Sequence, residues 1–157
     1  MNEEEEETEG SVLSRSTREV HLTPIDGSSH SQVRVKRGFM LTISSGLPRW
    51  EVNQYIDRAR IASLAQSRDP RIVFVGTSSL CVQGVPLWSA NHDITFWCPQ
   101  PYPNSTLPSV RYSGFTIPGV KVRKLRRPPL TDHRLTENGV QVEDKLDASL
   151  RLAMGSK

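Results

Sequence analysis

The feature that most constrains this chain is an almost uncharged stretch over residues 71–99. It begins with the β-branched and aromatic run Ile72–Val75, which is typical of a strand buried on both faces. The hydroxyls of Thr77–Ser79 can cap a helix at about 77–84, and Gly84 can end it. Ile94–Cys98 then has the composition of a second strand. The stretch therefore predicts the strand–helix–strand centre of a small α/β unit.

A long amphipathic helix is predicted over 49–66. It opens near Pro48, whose missing N–H costs nothing in a first turn. Apolar residues recur at helical spacing on one face: Val52, Tyr55, Ile56, Ala59 and Ala62. Polar residues such as Asp57, Arg58 and Arg60 occupy the remaining positions.

Shorter elements are predicted on both sides of this centre. Val20–Ile25 and Val33–Leu41 alternate around a turn at 26–29, which predicts a hairpin, and Gly38 indicates a bulge in its second strand. Further strands are predicted over 110–117 and 120–125, and a hairpin around Asn138-Gly139. A last helix at 144–154 is predicted to have Leu146, Leu150 and Ala153 on one face.

These elements predict an α+β fold: one small domain with a mixed, mainly antiparallel sheet flanked by about three helices. The acidic residues Glu3–Glu7 and Glu9 repel one another, so residues 1–18 are predicted to be a disordered tail and 19–157 the domain. Without those six acids the formal net charge of +3 rises to about +9, which favours an acidic partner such as nucleic acid.

Several classes of function have no support in the sequence. No run of about 18 apolar residues predicts a membrane span, and the acidic start is unlike a signal peptide, so we expect a cytoplasmic protein. Cys81 and Cys98 are read as reduced, buried side chains. The four histidines lack metal-ligand spacing and are expected at the surface. No cofactor, metal or catalytic set is predicted, and Ser78 and Ser79 are assigned to helix capping.

The strongest candidate site is a set of basic residues on predicted strands. Lys121 and Arg123 point to one side of an alternating strand, and Arg34 and Lys36 do so in an earlier one. Such a face can contact phosphates, or it can be a solvated and protected sheet edge. The full predicted nucleic-acid-binding set is Arg34, Lys36, Arg37, Arg111, Lys121, Arg123, Lys124, Arg126 and Arg127.

Aromatic residues complete the candidate sites. Tyr112 and Phe115 could stack on bases. Trp88 and Tyr112 are the predicted contacts for a partner protein, with a buried Trp88 as the alternative. Trp50 and Trp97 are expected in the core or at its rim.

The order of these motifs resembles the AbiEi-like antitoxins of type IV toxin–antitoxin systems, in their actinobacterial form. The resemblance covers residues 33–154 and centres on Ser78–Leu87, SSLCVQGVPL, between a basic strand with a glycine and the later strand Gly119–Arg123. Family members usually carry an N-terminal winged helix-turn-helix, and we expect this chain to lack most of it. Gln83 also stands where the family often has histidine.

The resemblance implies a nucleotidyltransferase toxin as protein partner and autoregulation of transcription by DNA binding. We therefore expect a non-enzymatic, antitoxin-like regulatory protein that binds a partner protein, with nucleic acid as a second candidate partner at the basic strand face. The alternative is a phage- or defence-related inhibitor that acts by protein–protein binding, with its acidic tail imitating nucleic acid.

Overall fold

The computed structural model describes residues 11–15, 18–23, 30–67, 72–85, 90–112, 114–129, 134–137 and 140–154. Within these residues the chain forms three helices and mixed, mostly antiparallel sheets, which confirms the predicted α+β class. The helices are α1 (Arg49–Ser67), α2 (Gly76–Val82) and α3 (Lys145–Ala153). The strands are β1 (Ser11–Arg15), β2 (Arg18–Thr23), β3 (His30–Lys36), β4 (Phe39–Ser44), β5 (Val73–Phe74), β6 (Ile94–Trp97), β7 (Ser105–Leu107), β8 (Val110–Tyr112), β9 (Phe115–Ile117), β10 (Val120–Lys124), β11 (Arg134–Glu137) and β12 (Val140–Glu143).

A four-stranded antiparallel sheet comes first, in the order β2-β1-β4-β3. Strand β1 pairs with both β2 and β4, so the prediction of disorder is wrong for residues 11–15. Hydrogen-bond partners on both sides offset the cost of ordering this segment. Residues 1–10 lie outside the described part of the chain.

The predicted pairing of 20–25 with 33–41 is wrong, because β2 and β3 lie at opposite edges of the sheet. Strand β2 pairs with β1, and β3 forms a hairpin with β4. Gly38 lies in the turn with a φ of 85°, a conformation that glycine adopts without strain. The bulge predicted at Gly38 occurs instead between Arg34 and Lys36, where the β3–β4 register shifts. Turn chemistry, rather than a bulge, is therefore why a glycine stands at this position.

The second sheet has six strands in the order β11-β12-β5-β6-β10-β7. It is mixed, because β12 runs parallel to β5 and β10 parallel to β6, while the other pairs are antiparallel. Strand β5 is central, and all four residues of the Ile72–Val75 run are buried as predicted. A separate two-stranded sheet, β8–β9, is inserted in the sequence between β7 and β10.

Helix α1 contributes to two hydrophobic cores. Val52, Ile56 and Ala59 pack into the core of the four-stranded sheet and the β8–β9 hairpin, whereas Ile61 and Leu64 pack into the core of the six-stranded sheet. The later turns of α1 are therefore buried all round, as expected of a helix between two layers. The assignment of Arg60 to the polar face is wrong, since its side chain is 0 % exposed.

The buried Arg60 holds the base of the β8–β9 hairpin. Its Nη2 donates to the carbonyl oxygens of Pro108 (3.1 Å) and Pro118 (2.9 Å), where the chain leaves and rejoins the six-stranded sheet. The two chain segments approach so closely there that a Cβ at Gly119 would collide with the carbonyl oxygen of Leu107. A glycine is required at 119 for this close approach.

Helix α2 ends as predicted but does not start as predicted. Its N-cap is Val75, and no side chain of its own caps it. Ser78 instead accepts from the backbone N–H of Thr95, and Ser79 donates to the carbonyl of Glu143, so both serines tie the helix to strands. At the other end Gly84 has a φ of 78° and its N–H bonds to the Cys81 carbonyl, in a Schellman motif.

Helix α3 is capped by Asp144, whose side chain accepts from the N–H of Asp147. The face of α3 that carries Leu146 and Leu150 points to solvent. Ala148 faces the core, while Leu146 is 67 % exposed. Leu150 and Met154 on that outward side are exposed as well. Trp50, expected in the core or at its rim, is 63 % exposed at the start of α1.

Candidate functional site

A wide groove with a basic lining is the main surface feature among the described residues. It has a volume of about 740 Å³ and is open to solvent. Residues from β6, β10, the loop after β10, α2 and α3 line it. Its cations are Arg123, Lys124, Arg126, Arg127 and Arg151. We call this surface the basic groove, and its concentration of one sign of charge favours anionic ligands.

Strand β10 positions the first cations by simple alternation. Val120 and Val122 are buried in the core of the six-stranded sheet, whereas Lys121 and Arg123 are exposed on the opposite face, as predicted. A smaller groove of about 320 Å³ continues from Arg123 to Lys121. The two grooves have Asn104 and Arg123 in common, so the basic lining is continuous.

Asp93 is the one acidic residue among those described that line the basic groove. Its Oδ1 accepts from the backbone N–H of Lys121 at 3.1 Å, and its Oδ2 lies 3.5 Å from Arg123 Nη2. Both side chains of the ion pair are about half exposed, so the pair contributes little stability. The groove therefore remains strongly positive despite Asp93.

Arg151 lies on α3 and lines the groove, and an ion pair with a buried carboxylate orients its side chain. Its Nε and Nη2 each donate at 3.0 Å to the carboxylate of Glu143, which is 2 % exposed. The same carboxylate accepts from the N–H of Gly76 at 2.6 Å. This bidentate arrangement fixes the guanidinium plane at the groove wall.

The sequence reasoning missed Arg151. It lies 24 positions after Arg127 on a different element, and only the packing of α3 against α2 brings it to the groove. One usable signal is Glu143, the acid that ends strand β12, since a buried carboxylate requires a nearby cation.

A small polar cluster lies behind the groove. His92 and Thr77 line both the groove and an internal cavity of about 10 Å³, which Asp57, Arg60 and Cys81 also line. Burial raises the pKa of Asp57, although the N–H of Asn91 and the charges of His92 and Arg60 oppose this. The Nε2 of His92 is buried without a hydrogen-bond partner, so this histidine is not the simple surface residue that was expected.

The other predicted cations do not join the groove. Arg34, Lys36 and Arg37 belong to β3 and its turn, and Arg111 lies on β8, which contacts β3. Three of them are exposed, whereas Lys36 is half-buried with its Nζ 5.4 Å from the centre of the Phe39 ring. The predicted set is therefore divided between the groove and a second part of the surface.

Neither of the two predicted aromatic contacts, Tyr112 and Trp88, is among the described residues that line the groove. Tyr112 is 7 % exposed within the core beneath the four-stranded sheet, so it offers no ring to a base or a partner, and that part of the prediction is wrong. Trp88 lies outside the described residues.

Cys98 is buried as expected, whereas Cys81 is half-buried. Cys81 and Cys98 are free. Burial raises the pKa of the Cys81 thiol to about 12, with a smaller contribution from Asp57. Across the described ranges, no three His, Cys, Asp or Glu side chains are grouped as a metal ion would need. None of the described helices combines the length and apolar character that a membrane span requires.

Comparison with known proteins adds no relative. No protein-family model matches the chain, and neither the curated proteins nor the solved structures include a significant match. The fold and the groove define a small α+β protein with one strongly basic concave surface. The similarity to AbiEi-like antitoxins stays a prediction from the quoted motifs.

Proposed function

We propose that this protein is a non-enzymatic binding protein that holds the phosphate backbone of nucleic acid in the basic groove. The observation that carries the proposal is the convergence of five cations from three parts of the chain on one concave surface. Two acids accompany them: Asp93 lines the groove beside Arg123, and the buried Glu143 is paired with Arg151. Arginine predominates among them, and its planar guanidinium matches phosphate oxygens in a bidentate manner.

The lining favours contact with phosphates over recognition of bases. Among the described residues that line the groove, none is phenylalanine, tyrosine or tryptophan. Base stacking on aromatic rings is the usual source of base contact in single-strand binding, and phosphate contacts carry no direct sequence information. We therefore expect weak sequence preference and a steep dependence of affinity on salt.

Charge reversal within the groove tests this proposal. Affinity for a labelled oligonucleotide is measured by fluorescence anisotropy at low salt for the wild type and for Arg126→Glu/Arg127→Glu. We expect the double variant to bind at least about tenfold more weakly, because two phosphate contacts become repulsive. The matched control is Arg37→Glu/Arg111→Glu, which makes the same charge change on exposed residues away from the groove.

Equal losses in the two double variants would show that only net charge matters, and would contradict a groove site. The oligonucleotide is also recovered after incubation, and its cleavage by the pure protein would contradict a non-enzymatic role.

The biological setting we propose is that of an antitoxin-like regulator with a protein partner. The motif order over 33–154 supports it, as does the exposed apolar side of α3, where Leu146 and Leu150 face outward one turn apart. Such a pair is a common anchor for a groove on another protein. The partner to test is a nucleotidyltransferase encoded beside this chain, in a pull-down with this protein as bait. The proposal is supported if the wild type retains the nucleotidyltransferase and Leu146→Glu/Leu150→Glu does not. It is contradicted if the wild type does not retain it.

A further inference from the structure

We infer that one part of the basic groove is a discrete site for a single phosphate group, which we call the phosphate site. Its side chains are Thr77, Thr95, Arg123 and Arg151, all of which line the groove. The inference rests on the proposed function for the source of that phosphate. It goes further in the form of binding, because a basic surface alone attracts any phosphate, whereas this site fixes one at a defined place.

The contact between α2 and β6 brings two threonine hydroxyls together. Ser78 Oγ accepts from the backbone N–H of Thr95 at 3.0 Å, so Thr77, one residue earlier, lies beside Thr95. Both threonines are half-buried. Their hydroxyl groups make no hydrogen bond to any other residue that the structure describes. Two hydroxyl donors are therefore available to a ligand at the same place.

Arg151 reaches this place from α3 in a fixed orientation. The carboxylate of Glu143 accepts from its Nε and its Nη2, each at 3.0 Å. The side chain also packs against Gly76, the residue before Thr77, where an added Cβ would come within 3.3 Å of Arg151 Cδ. The two N–H groups of Nη1 and one of Nη2 remain for a ligand. A guanidinium held by a carboxylate and by packing loses little freedom when it binds an anion.

Arg123 brings a second guanidinium from β10. It is the partner of Thr95 in the parallel pairing of β10 with β6, so the two residues are neighbours on one face of the sheet. Asp93 lies on the same face, with its Oδ2 3.5 Å from Nη2 of Arg123. This ion pair occupies one nitrogen, so the other N–H groups of Arg123 are available to a phosphate.

The chemistry of the site matches a phosphate group. Phosphate oxygens only accept hydrogen bonds here, and the two hydroxyls and two guanidinium groups can all donate to them. The charges of the two arginines are balanced by Asp93 and Glu143. The excess positive charge that attracts the anion therefore comes from Lys124, Arg126 and Arg127, while the two carboxylate-bound arginines orient it.

The first experiment titrates the full chain with inorganic phosphate at constant ionic strength and follows backbone amides by proton–nitrogen correlation NMR. We expect saturable shifts around Thr77 and Thr95, and none when chloride replaces phosphate. Thr77→Val and Thr95→Val keep the shape of the side chain and lose its hydroxyl, so each should raise the dissociation constant for phosphate about three- to tenfold. The matched control, Thr106→Val, removes a hydroxyl from the smaller groove and should leave that constant unchanged.

Charge-conserving variants distinguish an oriented guanidinium from a positive charge. Arg123→Lys should weaken phosphate binding at least about fivefold, because lysine lacks the planar fork that matches phosphate oxygens. Arg126→Lys keeps the excess charge of the groove and should change the affinity less than about twofold. Equal effects of these two variants would overturn the phosphate site, as would amide shifts that do not saturate or that chloride reproduces.

Oligonucleotides identify the source of the phosphate and separate the two ways of failing. Anisotropy titrations compare one sequence with and without a terminal 5′-phosphate. Binding at least about fivefold tighter with that phosphate assigns the site to a strand end, and equal binding assigns it to the backbone. In either case Thr77→Val should weaken binding and Thr106→Val should not.

Equal oligonucleotide binding by Thr77→Val and Thr106→Val would overturn the inference and leave the proposed function standing. Absence of oligonucleotide binding by the wild type at low salt would overturn the proposed function, and saturable phosphate binding in the NMR titration would then still support the phosphate site.

Discussion

The buried carboxylate of Glu143 supports a sharp prediction, because three donors converge on it. Gly76 N–H and Arg151 Nε both reach Oε2, and Arg151 Nη2 reaches Oε1. In the Glu143→Gln variant, the amide oxygen can take the place of Oε2 and keep two of these bonds. The amide nitrogen then faces Nη2 of Arg151, so a donor meets a donor and the cation loses its counter-charge.

The expected cost follows from this geometry. Removing one partner of a buried ion pair costs about 3–5 kcal/mol. The side chain of Arg151 is 24 % exposed, so water offsets part of the loss and places the cost at the lower end, about 3 kcal/mol. Since small domains are stable by about 5–15 kcal/mol, the variant should fold but unfold at a clearly lower urea concentration.

The assay is equilibrium urea unfolding followed by tryptophan fluorescence, with the slope m expected to be unchanged. The matched control is Asp144→Asn, which removes a charge at the next position while asparagine keeps the helix cap, so we expect a change below about 0.5 kcal/mol. A cost under about 1 kcal/mol for Glu143→Gln would refute the reasoning. So would the same cost in an Arg151→Met background, since the coupling between the two residues would then be absent.

Four further outcomes are expected. Asp93→Asn, which removes the acid paired with Arg123, should tighten oligonucleotide binding about threefold at low salt and show no effect at high salt, as measured by anisotropy. Deletion of Met1–Gly10 should tighten the same binding if the acidic tail competes for the groove, and unchanged or weaker binding would contradict that competition. Burial raises the pKa of Asp57 in the folded state, so the stability that its protonated form contributes is lost as the pH rises through that pKa. The free energy of unfolding of Asp57→Asn, measured in urea titrations, should therefore rise relative to the wild type as the pH rises. A difference between the two proteins that does not change with pH would contradict this. Because the pKa of the Cys81 thiol is raised to about 12, iodoacetamide should not label it at pH 8 until the protein is unfolded, as judged by mass spectrometry.

Local patterns predicted those parts of the structure whose cause is local. The alternation of valines and basic residues over 120–124 placed Lys121 and Arg123 on the solvent face, because a strand has no other way to bury Val120 and Val122. Gly84 predicted the end of α2 for an equally local reason, namely that its left-handed backbone completes the Schellman motif. These predictions required no knowledge of what packs against either element.

The parts that could not be predicted depend on which surfaces meet. A helical pattern with one apolar face presumes one packing partner, whereas α1 lies between two cores, so Arg60 is buried. Ser78 and Ser79 stand where caps usually stand, yet their hydroxyls serve a strand and a distant carbonyl. In α3 the pattern of Leu146 and Leu150 identified an apolar face but could not indicate that Ala148 alone would face inward.

Arginines in this chain have two separate uses, and the partner of each guanidinium distinguishes them. Arg60 donates to two main-chain carbonyls inside the fold, so its charge holds the base of the β8–β9 hairpin and is withheld from any ligand. Arg126 and Arg127 are exposed at the groove, so their charges are available to a ligand. Arg151 does both, because Glu143 fixes one edge of its guanidinium while the residue still lines the groove. Arg151→Met should therefore lower both stability and oligonucleotide affinity, whereas Arg126→Met should lower affinity alone; equal loss of stability in the two variants would contradict this division.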